Sequence, residues 1–266
     1  MASGSSESSG EVSAPCMRGT PCYRAASLVF LLVRSHFTSR SDRFTLNRSM
    51  DLRHELTDLG LDQSRIARKS GRREASIAMD SVSAVGGCSQ LSLPGGRVAS
   101  AVVCLSIPGL TPLCGSFAMV RTDAEYKPTY LAYREGPALV KALGLLPAAP
   151  DVLLVPAAGI AHPRRLGMAR HIGYLLSIPT VGVTRAPLAS RDVGWRSTAK
   201  QTYVAFRPGP GRAAVYVSRG WGIDARTSIE IVRTCTKDHR MPEPIHIAKA
   251  LCQERMRLVG SGQPGS

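Results

Sequence analysis

The sequence predicts one α/β domain, a mixed β-sheet flanked by helices, and three observations carry that reading. Two runs of strand character, Ser76–Val82 and Val98–Ile107, stand on either side of the turn signal Pro94-Gly95-Gly96, as an antiparallel opening would. Two short apolar runs follow, Asp151–Val155 and Thr180–Val183, of the kind buried in the middle of a sheet. Helical stretches lie between and around them, so antiparallel strands give way to alternating strand and helix.

Taken in order, Asp51–Arg73 reads as a helix with apolar residues at Leu52, Leu56, Leu59 and Ile66, interrupted at Gly60. The strand Ser76–Val82 is flanked by Gly86-Gly87, read as punctuation. Further helices are expected at Ala138–Leu146, Arg165–Leu176 and Ser228–Thr234, and further strands at Thr202–Phe206 and Ala213–Val217. The folded domain is placed at residues 51–259. Residues 260–266 have the composition of a flexible tail. Residues 1–50 read as a disordered or basic leader: between Met17 and Met50 they hold six arginines, no lysine and one acid, a bias that also suits an organellar transit segment.

A chain of 266 residues, 44% hydrophobic, has material for a sizeable core. Its 34 Lys and Arg against 19 Asp and Glu give a net charge of +15, and residues 75–259 alone hold 22 basic and 11 acidic residues. A basic folded domain makes a polyanion the first partner to consider. The longest apolar run, Ala25–Val33, is far short of the roughly 20 residues that span a bilayer, so an integral membrane protein is excluded and no membrane partner is expected. Seven scattered cysteines without a C-x-x-C pair indicate no disulfide framework or structural zinc site and suit a reducing compartment, nucleus or cytoplasm; the leader would suit a mitochondrion.

Three segments could carry chemistry. Asp80 is a lone acid in the run Ser76–Val82, costly to bury unless it is paired or holds a metal, and harmless at a solvated sheet edge. Tyr126 to Pro137 places three tyrosines and Lys127 ahead of Arg134-Glu135; aromatics among cations can stack bases or simply pack. Gly159 to Gly167 follows an apolar strand and holds His162-Pro163-Arg164-Arg165, read as the first turn of a helix. Such a loop can receive a phosphate, or the arginines can form a solvated face.

The order and spacing of these segments resemble endonuclease V. That family's pattern has an Asp-bearing first strand, then Tyr-x-Pro-Gly-x-Leu-x-Phe/Tyr-Arg-Glu, then Val-Asp-Gly-x-Gly-Ile-x-His-Pro-Arg-Arg-Leu-Gly. A Pro-Thr-Ile/Val-Gly-Val-x-Lys strand follows, then Gly-His-Arg-Ile-Asp and Leu-Pro-Glu-Pro. This chain shows Asp80, Tyr126-Lys127-Pro128 through Glu135, Ile160 through Gly167, and Pro179 through Val183. It also shows Gly220 with Ile223-Asp224, and Met241-Pro242-Glu243-Pro244. The resemblance implies a ribonuclease H-like fold and a nuclease dependent on Mg2+ or Mn2+. Its substrate would be inosine-containing DNA or RNA, single-stranded or locally unpaired, cut at the second phosphodiester bond 3′ to inosine, and the protein would be a monomer. Carried over by position, Asp80 and Glu135 are metal ligands, and Asp80, Glu135, His162 and Arg185 form the catalytic set. Tyr126 is the strand-separating wedge, and Lys127, Arg164 and Arg165 complete the nucleic-acid contacts.

The pattern also breaks. The carboxylate expected directly after the apolar strand is Pro156, which has no side-chain oxygen, and Asp151 lies too far back along the strand to replace it. Ala157 and Ala158 replace a glycine and a polar residue of the loop around the flipped base. Arg185 stands for a catalytic lysine, and Trp221 and Gly222 for a histidine and an arginine. The expected activity is therefore an impaired nuclease, or a degenerate protein that binds nucleic acid without cutting it.

Overall fold

Residues Arg97–Ser106 (β2) are apolar or small almost throughout, and eight consecutive positions are buried, as a central strand requires. β2 pairs antiparallel with Ala84–Leu93 (β1) through the Pro94-Gly95-Gly96 turn and with Pro112–Arg121 (β3) on its other side. β3 begins on a proline, tolerated because this strand forms one edge of the sheet. β1 then pairs parallel with Val152–Val155 (β4), and β4 with Thr180–Thr184 (β5). Val215–Arg219 (β7) and Val204–Phe206 (β6) add antiparallel, giving a seven-stranded sheet ordered β3-β2-β1-β4-β5-β7-β6. This computed structural model describes residues 52–71, 76–187 and 203–260. The leader expected over residues 1–50, the tail from 261 and the start of the strand expected at Thr202 lie outside them.

Helices cover both faces. Leu131–Gly144 (α2) and Met168–Leu176 (α3) pack over Cys88, Cys104, Leu153 and Val155. Ala225–Thr234 (α4) and Glu243–Gly260 (α5) cover the opposite face at Val85, Leu154, Val181 and Val217. The alternation of Leu153 and Val155 with Val152 and Leu154 between the two clusters is the period-2 pattern of a strand buried on both sides. The first helix, Leu52–Ser70 (α1), runs unbroken through Gly60 and docks by Gln63, Ile66 and Ser70, spaced for one helical face.

The mixed sheet and the strands at β2, β4 and β5 follow the sequence reading; the opening strand does not. Ser76–Val82 forms no strand: Ser81 N and Val82 N donate to the Ala78 and Met79 carbonyls, closing a 3-10 turn at Met79–Ser81. The strand lies one step later and runs through the Gly86-Gly87 read as punctuation. Those glycines serve close packing, since a Cβ on Gly87 would come 2.2 Å from the Pro244 carbonyl carbon at the start of α5. α2 starts at Leu131, so Pro137 lies inside it, and α3 starts at Met168, which leaves Pro163, Arg164 and Arg165 in the preceding turn. β3 and α5 were not anticipated: Pro112 and Gly115 read as breakers, and Pro242 and Pro244 mask a helix start where proline is well tolerated.

Candidate nucleic-acid site

Parallel pairing of β1 with β4 fixes which β1 side chains stand at the level where β4 ends. With Gly87 level with Leu154, Cys88 stands level with Val155, the last residue before Pro156. Cys88 belongs to the face covered by α2, and α2 brings Glu135 within electrostatic reach of its thiol. Burial pushes the Cys88 thiol up to about 12, with the Glu135 charge adding to the effect and a Gln90 hydrogen bond opposing it. It therefore stays protonated and donates to the Leu154 carbonyl at 3.6 Å. Glu135 is itself pushed up to about 7 by burial, against the pull of Arg134.

Asp80 is not part of this group. It is exposed in the 3-10 turn that precedes β1, roughly 13 Å of strand away from Cys88. Its neighbours Ile77 and Met79 pack with the cluster under α4 and α5, on the face opposite Glu135. β1 itself contains no acid. The carboxylate pair expected from the sequence is thus not brought together, because the run that looked like the first strand is a turn at the other end of it.

The residues present do not fit a magnesium or manganese site. A hard cation needs several oxygen ligands, and here the strand ends offer Glu135 beside a protonated thiol and a proline. Among the described residues, no three His, Cys, Asp or Glu side chains are grouped to hold a metal ion. Ala157 packs against the apolar cluster beside Val155, extending the core to where a polar loop was expected.

The neighbouring loops form an ordered polar hub, centred on Thr129. Its carbonyl accepts from Gln63 Nε2 at 2.9 Å and from His162 Nε2 at 3.0 Å. Because a carbonyl only accepts, Nε2 carries the proton, which leaves Nδ1 to accept from the Arg164 amide at 3.3 Å. Burial and Arg164 push His162 down to about 4, consistent with this neutral ring. His162 thus clamps one loop to another instead of facing Glu135 alone. Arg164 Nη2 donates to Thr129 Oγ1 at 2.7 Å, its Nε donates to Gln63 Oε1, and its guanidinium stacks on Tyr130 with 4.4 Å to the ring centroid. Thr129 stands where the family pattern has glycine, and it has a left-handed φ of 72°, unusual for a β-branched residue. The bonds to its carbonyl and hydroxyl hold it there. Gln63 and Thr129 carry this hub, and neither was singled out from the sequence, since a buried glutamine breaks the apolar period.

The hub presents Tyr126 outward, 62% exposed, with Lys127 paired to Glu125 at 3.4 Å. Gly159 seats the loop below: a Cβ there would come 2.1 Å from the Arg219 carbonyl oxygen. Arg165 is exposed, with a φ of 53°, and Arg185 is exposed just beyond β5, where its carbonyl accepts from Arg240 Nη2 at 2.6 Å. The Trp221 carbonyl accepts from the Thr180 amide at 2.9 Å and its amide donates to Thr180 Oγ1 at 3.0 Å, and Asp224 caps α4 by accepting from the Thr227 amide at 2.9 Å. That bond, foremost, holds its carboxyl below the usual range.

A family model described as Endonuclease V matches residues 65–250 of this chain. The Endonuclease V of Trichormus variabilis is 37% identical over 166 residues, which cover 59% of this chain and 75% of that protein. Among solved structures, Endonuclease V from Streptomyces avermitilis superposes with a TM-score of 0.69 at 25% identity, covering 77% of this chain and 94% of that one. Endonuclease V of Ciona intestinalis, in complex with a 24mer DNA containing an inosine followed by a ribo-adenosine, gives a TM-score of 0.68 at 24% identity, covering 77% and 99%. The ribonuclease H-like fold expected from the sequence is the fold observed.

Proposed function

This chain belongs to the endonuclease V family, and from that premise we propose that it binds inosine-containing DNA or RNA in an unpaired or flipped state, with phosphodiester hydrolysis severely impaired. The observation that carries the reading is a contrast, in which the hub behind Tyr126 is fully formed while, among the described residues, no group of acidic, His or Cys side chains gathers with Glu135 to hold a metal ion. The net charge of +15 supports a polyanionic partner, and the Ciona relative was crystallised on inosine-containing DNA.

In this reading Tyr126 stacks on or separates bases, a contact of about 1–3 kcal/mol, and the bonds among His162, Arg164 and Thr129 hold its loop in place. Arg165 and Arg185 are exposed and free to meet phosphates. Glu135, with a carboxyl titrating near neutrality, can accept a hydrogen bond or donate one as the pH changes.

The test uses end-labelled single-stranded DNA and RNA oligonucleotides carrying one inosine, incubated with the full chain in magnesium and then in manganese, with Asp80→Ala and Glu135→Gln alongside. The expected result is a mobility shift that favours inosine, with little or no nicking, and an Asp80→Ala variant equal to the wild type. A rapid nick at the second phosphodiester bond 3′ to inosine, abolished in either variant, would overturn the impairment. Equal affinity for strands with and without inosine would overturn the substrate class.

A further inference from the structure

A cavity of about 380 Å³ opens between α1, the turn after His162, the start of α3 and the end of β7. Five of its lining residues are arginines: Arg68 from α1, Arg164 and Arg165 from the turn, Arg170 from α3 and Arg219 from β7. Its volume falls within the roughly 300–1,000 Å³ typical of small-ligand sites. No acid is among the lining residues described.

Guanidinium groups stay charged at any physiological pH, so five around one cavity make its wall strongly basic and suited to an anion. Two of them are held in place before any ligand arrives. Arg164 is fixed by Gln63, Thr129 and the face of Tyr130, and Arg170 is buried with its Nε donating to Ser70 Oγ at 3.0 Å. The backbone supplies a second, independent sign. Arg165 takes a left-handed φ of 53° although it is not glycine, held by its amide donating to the His162 carbonyl at 2.8 Å, and residues kept in such conformations cluster at ligand clamps.

We propose that this arginine cavity is a phosphate-binding site. A phosphate offers oxygens in several directions to guanidiniums that arrive from four elements, whereas a carboxylate offers one plane. Arg164 both lines the cavity and grips Thr129, so a phosphate held here lies directly behind the loop that carries Tyr126. If the nucleic-acid reading above holds, that phosphate belongs to the strand backbone; a free phosphate or mononucleotide is the other source of the same chemistry.

The test compares the full chain with Arg68→Ala/Arg165→Ala, two exposed positions, and with Arg226→Ala/Arg233→Ala, which removes the same charge from exposed positions on α4. Anisotropy of labelled single strands with and without inosine is followed across a salt series, and Tm is followed against inorganic phosphate. We expect the first variant to lose about tenfold or more in affinity for both strands, with its inosine preference intact. Its log K against log[salt] line should be shallower by about 1.4, which is two phosphate contacts on a single strand. Phosphate should raise the Tm of the wild type and of the α4 variant only. Wild-type affinity and slope in the first variant, or equal losses in both variants, would overturn the site while leaving the nucleic-acid reading in place. If the wild type binds neither strand but phosphate stabilises it and not the first variant, the site stands as a free-phosphate site and the nucleic-acid reading falls.

Discussion

The loop hub and the strand ends lie next to each other in the fold, yet they are built on opposite terms. Around Thr129, nearly every polar atom has a partner within the chain, and three segments distant in sequence meet through Gln63, His162 and Arg164. Where β4 ends beside the middle of β1, Cys88 joins the apolar cluster with Val155 and Ala157, and Glu135 is left as a desolvated carboxylate. The difference is one of physical purpose. Hydrogen bonds among neutral and cationic groups hold a surface in shape without a ligand, whereas grouped carboxylates repel each other until a cation arrives. With Cys88 in mid-β1 and Pro156 just past β4 that repulsion is gone, and the sheet is closed here by ordinary packing.

That contrast can be broken most severely at Gly159. Gly159→Ala drives a Cβ into the Arg219 carbonyl oxygen, and the loop beneath the hub has no room to give way. The expected loss is about 3 kcal/mol or more, read as a fall in Tm or a failure to fold; a Tm within a degree of the wild type would show the loop to be far softer than its packing indicates.

The second test makes the strand ends resemble the family pattern. Cys88→Asp with Pro156→Asp places two further carboxylates near Glu135, and their desolvation and mutual repulsion should cost about 2–3 kcal/mol without metal. Manganese should then raise the Tm of the double variant and leave the wild type unmoved, because only the variant binds it in the folded state. A wild-type Tm that climbs equally with manganese would refute the assignment of a metal-poor strand end.

The smallest effect expected is that of Glu135→Gln. The folded carboxyl titrates near 7 against an ordinary value of 4.5, so its stabilising contribution is complete below about 4.5 and is lost as pH rises through 7. His162 and His171, both pushed down to about 4 by burial, work in reverse: their contribution is complete above 6.5 and is lost as pH falls through 4. Glu135→Gln should therefore gain about 2 kcal/mol at pH 8, discounted for partial exposure, and lose stability on acidification more steeply than the wild type. Parallel Tm profiles from pH 4.5 to 8 would rule out the raised Glu135 carboxyl.

Much of this was legible in the residues. Val152–Val155 and Thr180–Thr184 declare themselves as buried strands by unbroken apolar runs, and the His162-Pro163-Arg164-Arg165 turn by its composition. What misled was local: Asp80 drew the first strand toward itself, while Gly86 and Gly87, which need space taken by Pro150 and Pro244, looked like a turn. Those neighbours are distant in sequence, so no short window contains the reason for the glycines. Gln63 was hidden for a similar cause, since its partner Thr129 lies 66 residues away. The family pattern pointed to Glu135 but could not show that the thiol beside it comes from β1, because that depends on strand register.

The bare backbone of Gly87 also dictates when this molecule can be finished. Its cover, Pro244 and Ile245, belongs to the helix that follows every described strand, and that same helix lies across β1 and β2. On the ribosome, β1 and β2 emerge early and must wait with one apolar face open until almost the whole domain has been made. Completion of the core is therefore a late event in the making of this domain, and until then the open apolar face invites association that the net charge of +15 opposes.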